Sequence, residues 1–274
     1  MFGAVVVLYN PSMKEIENIN TYISQVDYIV IIDNSDIDNS ALVNKTINRK
    51  ENILYIANNQ NIGLAKALNN GVDILIEKKC EWALLLDADS EVADNIISIY
   101  NKTLETLNNN NIAVLSPVHI FDRSKNTIYS GYREVKWTMT SGCLFNCEIF
   151  RNQGGFFEKL FVDGIDMDYC YKSIEKGYLI IECGQAYINH NPAETRHFLW
   201  IKYGIASPFR YYMQARQLIW CWFRYKKIET LFIYVYKWLK ILFLFPNKFE
   251  YIKEVSKGTR DGFILSKEEF CEKN

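Results

Sequence analysis

The chain has 274 residues, with 49% hydrophobic and 23% charged residues, which is ordinary for a globular protein. This length allows one substantial core, formed either by one large domain or by one domain with an appendage. The net charge of −1 is unevenly distributed: residues 196–260 contain 13 Lys and Arg against 3 Asp and Glu, whereas residues 1–195 carry a net charge of −9. A basic region beside an acidic body predicts a negatively charged surface as its partner.

Several classes of protein are not expected from this sequence. The seven cysteines form no CxxC pair, so they are interpreted as buried apolar residues of a reducing compartment. Residues 1–9 lack a basic segment before the apolar run and predict a strand rather than a signal peptide. No run reaches the roughly 18 apolar residues of a spanning helix. Nucleic acid is not expected as the partner, because no recognition motif accompanies the basic charge.

The first 110 residues alternate between short apolar runs and helical patterns. Strands are predicted at residues 3–9, 28–32, 53–57 and 83–86, and helices at residues 12–24, 64–78 and 92–107. Ser12 and Glu15 have the spacing of a capping box for the first helix. This alternation is typical of βαβ units in a mostly parallel sheet. The loops after the strands then share one edge, where a nucleotide site is the default hypothesis.

Asp87 and Asp89 directly follow the fourth apolar run. In an extended backbone they would point to the same side, because side chains alternate with a period of two. Two carboxylates on one side raise each other's pKa unless a cation lies between them, and Mg²⁺ or Mn²⁺ would suit oxygen ligands. The alternative is that Asp87 only ends the strand and that Asp89 or Ser90 caps the next helix.

Beyond residue 111 the strands become shorter, and three carboxylates occur close together. Strands are predicted at residues 113–118, 141–145, 178–182 and 186–190. The residues from 119 to 140 are mixed and hairpin-like. Asp163, Asp166 and Asp168 open a helix that ends before Gly177. Interaction with the helix dipole explains one or two of these carboxylates, but it does not need three within six residues, which makes Asp166 a functional candidate.

Two helices are predicted in the basic region, at residues 208–225 and 229–245. The second is apolar almost all round, apart from Lys237 and Lys240, which share a face. Aromatic residues and lysines on an apolar helix are typical of a helix that lies in a membrane surface. The open alternative is packing on the protein core or in a homodimer interface.

Several short motifs follow one another along nearly the whole chain. They are Val5-Val-Val-Leu-Tyr-Asn-Pro11, Ile32-Asp-Asn-Ser35, Asn58-x-x-Asn61-Ile-Gly63-x-Ala65-x-Ala67-x-Asn69-x-Gly71, Leu86-Asp-Ala-Asp89, Ser141-Gly142, Gly154-Gly-Phe-Phe-Glu158, Phe161-Val-Asp-Gly-Ile-Asp-Met-Asp-Tyr-Cys170 and Tyr211-Tyr-Met-Gln-Ala-Arg216. Their order and spacing resemble glycosyltransferase family 2, the inverting nucleotide-sugar enzymes with the GT-A fold. The resemblance is strongest to bacterial rhamnosyltransferase-type enzymes of O-antigen and capsule synthesis.

The resemblance implies an α/β fold of the GT-A type, with a Rossmann-like, mostly parallel sheet flanked by helices and a C-terminal helical appendage. It implies a catalytic domain of residues 1–195, with a nucleotide-binding half at 1–110 and an acceptor-binding half at 111–195. Residues 196–274 would then be a separate basic, aromatic-rich helical region.

The resemblance also implies a role for each candidate site residue. Asp166 would be the general base that deprotonates the acceptor hydroxyl in one in-line displacement. The nucleotide would be bound by Tyr9, Asn10, Asp33, Asn61, Gly63, Lys66 and Asp87. The imide N–H of a uracil or thymine ring would donate to Asp33. A Mg²⁺ or Mn²⁺ ion that neutralises the leaving diphosphate would be held by Asp87, Asp89 and His190. The acceptor would be contacted by Asp163, Asp168 and Arg216.

The implied reaction uses dTDP-L-rhamnose as donor and a saccharide or polyprenyl-diphosphate-linked acceptor, on the inner face of the cell membrane. The alternatives are a UDP-sugar donor (galactofuranose, glucose, galactose or an N-acetyl sugar), a nucleotidyltransferase or an inactive membrane-surface scaffold. A nucleotidyltransferase would bring a Gly-rich phosphate loop near the first strand, which residues 10–14 match poorly. The chain has Ile165 before Asp166 where many family members have Glu. His190 also suits a hydrogen-bonded histidine at a strand end.

Overall fold

A computed structural model describes residues 1–47, 51–108, 111–122, 126–189, 194–198 and 201–272. The chain divides into two compact units. The first contains residues 1–161 and 165–191, and the second contains residues 162–164 and 192–274. The segment 162–164 therefore belongs to the second unit, although both its chain neighbours belong to the first. The predicted domain bounds, including the two functional halves of residues 1–195, stay a prediction.

The first unit is a sheet with helices between its strands. The strands are β1 (Phe2–Leu8), β2 (Tyr28–Asp33), β3 (Ile53–Ala57), β4 (Trp82–Asp87), β5 (Glu91–Val92), β6 (Ile112–Ile120), β7 (Tyr132–Glu134), β8 (Cys143–Asn146) and β9 (Leu179–Asn189). The helices are α1 (Met13–Tyr22), α2 (Ser40–Thr46), α3 (Leu64–Glu77), α4 (Ile96–Leu107), α5 (Cys147–Asn152) and α6 (Ile165–Glu175).

The strand order is β3-β2-β1-β4-β8-β6-β9-β5, and β7 also pairs with β9. Strands β3, β2, β1 and β4 are mutually parallel, as are β6 and β9, whereas β8 is antiparallel to both β4 and β6. The predicted mostly parallel sheet flanked by helices is therefore confirmed. Because β1 to β4 are parallel, their carboxyl ends lie at the same edge of the sheet.

The start of the first helix follows its sequence signal. Ser12 caps α1 by accepting from the Glu15 amide, and the Glu15 side chain accepts from the Ser12 amide at 2.6 Å, so the capping box is confirmed. The predicted helix from residue 92 starts later, because Val92 pairs with Ile188 in β5 and Asn95 is the N-cap of α4. Capping of this helix by Asp89 or Ser90 is therefore wrong.

Beyond residue 111 the structure differs from the predicted elements at more places. The two strands predicted at 178–182 and 186–190 form one strand, β9, whose register against β6 shifts between Pro117 and Val118. Residues 132–134 form no local hairpin and pair instead with β9. The helix bearing Asp166 is confirmed as α6, with Asp163 just before its start.

The second unit consists of a hairpin and three helices in its described part. They are β10 (Glu194–Phe198), β11 (Ile201–Ile205), α7 (Pro208–Tyr225), α8 (Ile228–Leu244) and α9 (Lys248–Glu272). The two predicted helices are confirmed as α7 and α8, but α9 was not predicted. Gly258 and Gly262, which favour a helix end in sequence, are needed here for close packing. A Cβ on Gly258 would lie 2.2 Å from the Tyr212 carbonyl oxygen, and one on Gly262 would lie 2.6 Å from that of Arg216. Across the described residues, no helix is long and apolar enough to span a membrane.

The sheet of the first unit is covered on both faces. Ala4, Val6 and Leu8 belong to a cluster with buried residues of α1 and α4, whereas Val5 meets α3 on the opposite face. The backbone of α3 approaches β1 closely at Gly71, where an added Cβ would lie 2.4 Å from a Val5 methyl group. The small residues of the motif at 58–71 thus set the distance between a helix and the central strand.

Gly71→Ala is expected to lower the free energy of unfolding. Alanine gains roughly 0.5–1 kcal/mol over glycine inside a helix, but overpacking a core against a stiff β-branched side chain costs about 1–3 kcal/mol. We expect a net loss of up to about 2 kcal/mol in urea unfolding followed by circular dichroism. The matched control is Asn70→Ala at the exposed neighbouring position, which should raise stability by a few tenths of a kcal/mol. Equal gains in both variants would contradict the packing explanation.

Candidate active site

The sheet register brings two predicted site residues to the same edge. Asp33 pairs with Leu8 and Asp87 pairs with Val7, on opposite sides of β1. Adjacent strands are roughly 4.8 Å apart, so the two Cα atoms are separated by about 10 Å. The carboxyl edge therefore carries two acidic positions with the end of one strand between them.

Asp33 is buried, with 1% of its surface exposed, and is held by three donors. The Ser35 amide donates to Oδ1 at 2.9 Å, whereas the Asn39 amide group and the Tyr55 hydroxyl donate to Oδ2 at 2.9 Å and 2.6 Å. Asn39 is the N-cap residue of α2, but its side chain makes no capping hydrogen bond. The loop between β2 and α2 and the strand β3 therefore converge on one carboxylate.

The charge state of Asp33 follows from this arrangement. Burial raises the pKa of the carboxyl, but the hydrogen bonds from Ser35, Tyr55 and Asn39 outweigh burial and hold the pKa below its usual value. Burial and the same contact raise the pKa of the Tyr55 hydroxyl. Asp33 is therefore ionised and Tyr55 is protonated at neutral pH, so the tyrosine is the donor.

A second set of contacts ties the neighbouring loops together. The Asn58 amide group donates to Asn34 Oδ1 at 2.8 Å, and the Asn34 amide group donates to the Gly63 carbonyl at 3.3 Å. The amide of Asn10, a residue with a φ of 48°, donates to Ser35 Oγ at 2.7 Å. The loops after β1, β2 and β3 thus hold one another in place by hydrogen bonds.

The other predicted nucleotide-binding residues surround these loops. Tyr9, Asn10, Asn61 and Lys66 are exposed, and Asn61 Oδ1 accepts from the Gly63 amide at 3.0 Å. Gly63 has a φ of 89°, and a Cβ there would lie 2.6 Å from the ring of Phe161. Packing against Phe161 thus explains this glycine without a ligand, while its nucleotide contact stays a prediction.

Asp87 is the last residue of β4, whereas Asp89 lies in the turn that follows the strand. β4 ends at Asp87, whose carbonyl accepts from the Ser90 amide at 3.1 Å. The prediction that both side chains point to one side requires an extended backbone from Asp87 to Asp89. The turn shows that this requirement is not met. Asp87 is half-buried and Asp89 is exposed, so Asp89 is the more accessible to a ligand.

The hydroxyl of Ser141 fixes this turn to the neighbouring strand. Ser141 Oγ accepts from the Asp87 amide at 3.1 Å and also contacts the hydroxyl of Ser90. The Ser141 carbonyl accepts from the His119 ring at 2.8 Å, and the Gly142 amide donates to the Leu85 carbonyl at 2.8 Å. The Ser141-Gly142 motif therefore positions the end of β4.

Asp166 lies in the first turn of α6, half-buried, where its Oδ1 accepts from the Met167 amide at 2.7 Å. Burial raises the pKa of the Cys143 thiol to about 12, and the nearby Asp166 carboxylate adds to this rise. Cys143 in turn pairs with Leu85, two residues before Asp87. Asp166 therefore lies near Cys143, at the same end of the sheet as the turn that contains Asp89 (the aspartate turn).

The predicted acceptor residues are distributed over both units. Asp168 is buried in α6 of the first unit, whereas Asp163 and Arg216 belong to the second. Both oxygens of Asp163 accept from the guanidinium of Arg210 at 2.8 Å, and Arg216 is half-buried in α7. The ion pair gives Asp163 a structural role; its contact with an acceptor stays a prediction.

Two of the three predicted metal ligands, Asp87 and Asp89, lie in the part of the chain that can be described. No group of three His, Cys, Asp or Glu side chains there is arranged to hold an ion, and His190 lies outside the described residues. Mg²⁺ is usually held by one or two carboxylates together with substrate phosphates. Asp87 and Asp89 at an accessible turn fit that requirement.

Several residues of this edge are not identified by the sequence pattern. The pattern predicts Tyr55 only as part of an apolar strand, and its hydroxyl inside such a run is the available signal of a polar contact. Asn39, which precedes a helix that the pattern does not predict, and His119, at the end of β6, have no local signal. Ser90 is predicted only as a helix cap.

Comparisons with known proteins agree with this architecture. Residues 5–172 match the family model described as Glycosyl transferase family 2. The chain is similar to the dTDP-rhamnosyl transferase RfbF of Shigella flexneri, at 28% identity in an alignment of 287 positions that covers 94% of each chain.

Two solved structures are similar in fold. One is residues 1–349 of S. aureus TarS in complex with UDP-GlcNAc, with a TM-score of 0.62 at 14% identity over 92% of this chain and 79% of that one. The other is GalNAc-T7 with UDP, GalNAc and Mn²⁺, with a TM-score of 0.60 at 14% identity over 82% of this chain and 49% of that one. This chain thus spans about half the length of GalNAc-T7.

At this level of identity the structural likenesses show the fold alone, and they confirm the predicted GT-A fold. The family match extends from β1 to α6 and contains both the aspartate turn and Asp166. The chain is therefore a glycosyltransferase with the GT-A fold and belongs to glycosyl transferase family 2.

Proposed function

We propose that the chain is an inverting, metal-dependent rhamnosyltransferase. It moves L-rhamnose from dTDP-L-rhamnose to a saccharide acceptor on a polyprenyl-diphosphate carrier, in the synthesis of a bacterial cell-surface polysaccharide. The donor is supported by the similarity, over nearly the full length of both chains, to a protein named a dTDP-rhamnosyl transferase. The observation that carries the proposal is the placement of Asp33 and Asp87 on either side of β1 at one sheet edge.

Asp33 would recognise the base of the donor. Ser35, Asn39 and Tyr55 donate hydrogen bonds to Asp33 and hold its carboxylate in a fixed orientation. A carboxylate has two acceptor oxygens, and the imide N–H of thymine or uracil, a donor present in both bases, would donate to one of them. Because donors from the protein orient the carboxylate, little ordering would be left for the binding step.

Asp87 and Asp89 would hold the diphosphate end of the donor. These carboxylates would hold a Mg²⁺ or Mn²⁺ ion, whose positive charge would neutralise the leaving diphosphate. Ser141 and Ser90 keep the turn in place by hydrogen bonds to its backbone and to each other. The distance of about 10 Å between the two acidic positions leaves room for the pentose that joins the base to the phosphates.

Asp166 would act as the base. The acceptor hydroxyl oxygen attacks the anomeric carbon, the bond from that carbon to the diphosphate oxygen breaks, and the hydroxyl proton passes to the Asp166 carboxylate. One displacement of this kind inverts the anomeric configuration and needs no nucleophile from the protein.

A donor-hydrolysis screen with Mn²⁺ tests the donor and the metal together. The full chain should hydrolyse dTDP-L-rhamnose faster than UDP-galactofuranose, UDP-glucose or UDP-N-acetylglucosamine. Asp89→Ala should reduce this rate at least about 100-fold, because a bound metal contributes several kcal/mol of charge stabilisation. Asp94→Ala, at an exposed carboxylate between β5 and α4, is the matched control. Preference for a UDP-sugar would show that the donor assignment is wrong, and equal rates with and without metal would refute the metal role.

Asp166→Asn should lower kcat for transfer by about 10²–10⁴-fold, since that is the usual contribution of a general base. Affinity for dTDP in the presence of Mn²⁺, measured by calorimetry, should stay within about twofold because the base contacts the acceptor and not the nucleotide. Glu175→Gln, on the exposed last turn of the same helix, is the control. Full transfer activity in the Asp166 variant would remove this residue from the reaction.

Tyr55→Phe should weaken donor binding and lower stability at neutral pH by about 1.5–3 kcal/mol, the value of a hydrogen bond to a charged group. The pKa of Asp33 is lower in the folded chain than in the unfolded chain. Its stabilisation is therefore present above the unfolded value of about 3.9 and is lost as the pH falls below it. The stability difference between wild type and variant, from urea unfolding at several pH values, should shrink below about pH 4. Tyr132→Phe on an exposed strand is the control; a difference that does not change with pH would contradict the bond to an ionised Asp33.

A further inference from the structure

One side of α8 is apolar and exposed along its whole length. Seven residues, each 43% to 74% exposed, form what we call the apolar face: Ile228, Phe232, Val235, Tyr236, Leu239, Leu242 and Phe243. They recur at spacings of three and four residues, so at about 100° per residue they cover an arc of roughly 120° on one side of the helix. Such a continuous face is larger than the scattered apolar residues of an ordinary surface.

The two lysines of α8 lie away from the apolar face. Lys237 Nζ donates to Gln214 Oε1 at 2.7 Å, and Lys240 Nζ donates to the Gly204 carbonyl at 3.0 Å. Both ammonium groups also lie 5.3 Å from the centre of the Tyr211 ring. These lysines therefore fix α8 within the second unit. The sequence pattern suggests that these two lysines contact lipid headgroups, but their ammonium groups bind Gln214 and Gly204 instead.

Exposed positive charge occurs instead at the two ends of the helix. Lys226 precedes the helix and Lys248 follows it, and both are exposed. Phe249, with 83% of its surface exposed, extends the apolar surface beside Lys248. The only carboxylate within α8 is Glu229. An apolar face with lysines at its ends complements a bilayer surface, where acyl chains lie below anionic headgroups.

The same charges argue against a second copy of the chain as the occupant. If two apolar faces packed together, a parallel arrangement would bring Lys226 beside Lys226, and an antiparallel arrangement would bring Lys226 beside Lys248. Like charges that meet across an interface oppose association. The surrounding region carries 13 Lys and Arg against 3 Asp and Glu from residue 196 to residue 260, which adds to this repulsion and favours an anionic surface.

We propose that the apolar face of α8 docks the chain on an anionic lipid bilayer, with the helix axis in the plane of the membrane. Phe232, Leu239 and Phe243 enter the acyl region, and Lys226 and Lys248 bind lipid phosphates. This surface brings the enzyme to the membrane in which a lipid-linked acceptor resides. It does not depend on which nucleotide sugar is the donor.

Flotation of the full chain with vesicles tests the proposal. The wild-type chain should float with vesicles of phosphatidylglycerol and phosphatidylcholine and bind vesicles of phosphatidylcholine alone more weakly. The double variant Phe232→Glu/Phe243→Glu should lose at least about tenfold in partitioning, because burial of a single Phe side chain already contributes about that factor. Lys226→Gln/Lys248→Gln should lose several-fold on the anionic vesicles only, and the loss should shrink at high salt.

The matched control is Met13→Glu/Ile128→Glu, which places two charges on exposed apolar residues of the first unit. It should partition like the wild type. Circular dichroism and donor hydrolysis, both expected to be unchanged in all three double variants, verify that the chain is folded. Wild-type chain that stays with the soluble fraction, or equal partitioning of the Phe232/Phe243 variant and the wild type, would overturn the proposal.

Sedimentation without lipid tests whether a second copy of the chain, rather than a bilayer, covers the apolar face. The wild type is expected to sediment at the same molecular mass as the Phe232→Glu/Phe243→Glu variant. A wild-type dimer that becomes a monomer in this variant would show that the apolar face binds a second copy, and would overturn docking on lipid.

Discussion

A carboxylate with 1% of its surface exposed is tolerated only if hydrogen bonds replace the water that it has lost. At Asp33 these bonds come from two residues of the loop between β2 and α2 and from one residue of β3. The positions of this loop and of β3 are therefore coupled to one negative charge. Because that charge sits at the carboxyl edge, contacts within the protein order the loop that would receive a nucleotide, and binding need not supply the free energy of ordering it.

The opposite side of β1 is organised differently. There the Ser141 hydroxyl and the Ser90 amide form hydrogen bonds with the backbone at Asp87. The side chain of Asp89 is exposed at the surface. The edge thus combines a buried carboxylate with a partly exposed pair. This difference suits recognition of a flat base on one side and of a charged, metal-binding phosphate on the other.

The central strands and the edge residues could be predicted because buried parallel strands have continuous apolar runs and end in polar loops. The bounds of β3 and α7 follow the sequence pattern directly. Non-local contacts could not be predicted in this way. The donors of Asp33 depend on the pairing of β2 with β3, and the inward orientation of Lys237 depends on how α8 packs against α7. The helix α9 was missed because Gly258 and Gly262 serve close helix packing, a role that has no local signal.

The ion pair between Asp163 and Arg210 has a consequence for how the chain can be divided. The segment 162–164 lies in the second unit, while residues 1–161 and 165–191 form the first. A fragment that starts at residue 192 would keep α7, α8 and α9 but would lack the carboxylate that both guanidinium bonds of Arg210 require. The two units are thus interleaved in sequence. A cut at a single peptide bond, or an exchange of the C-terminal region between relatives, would separate Arg210 from its native partner.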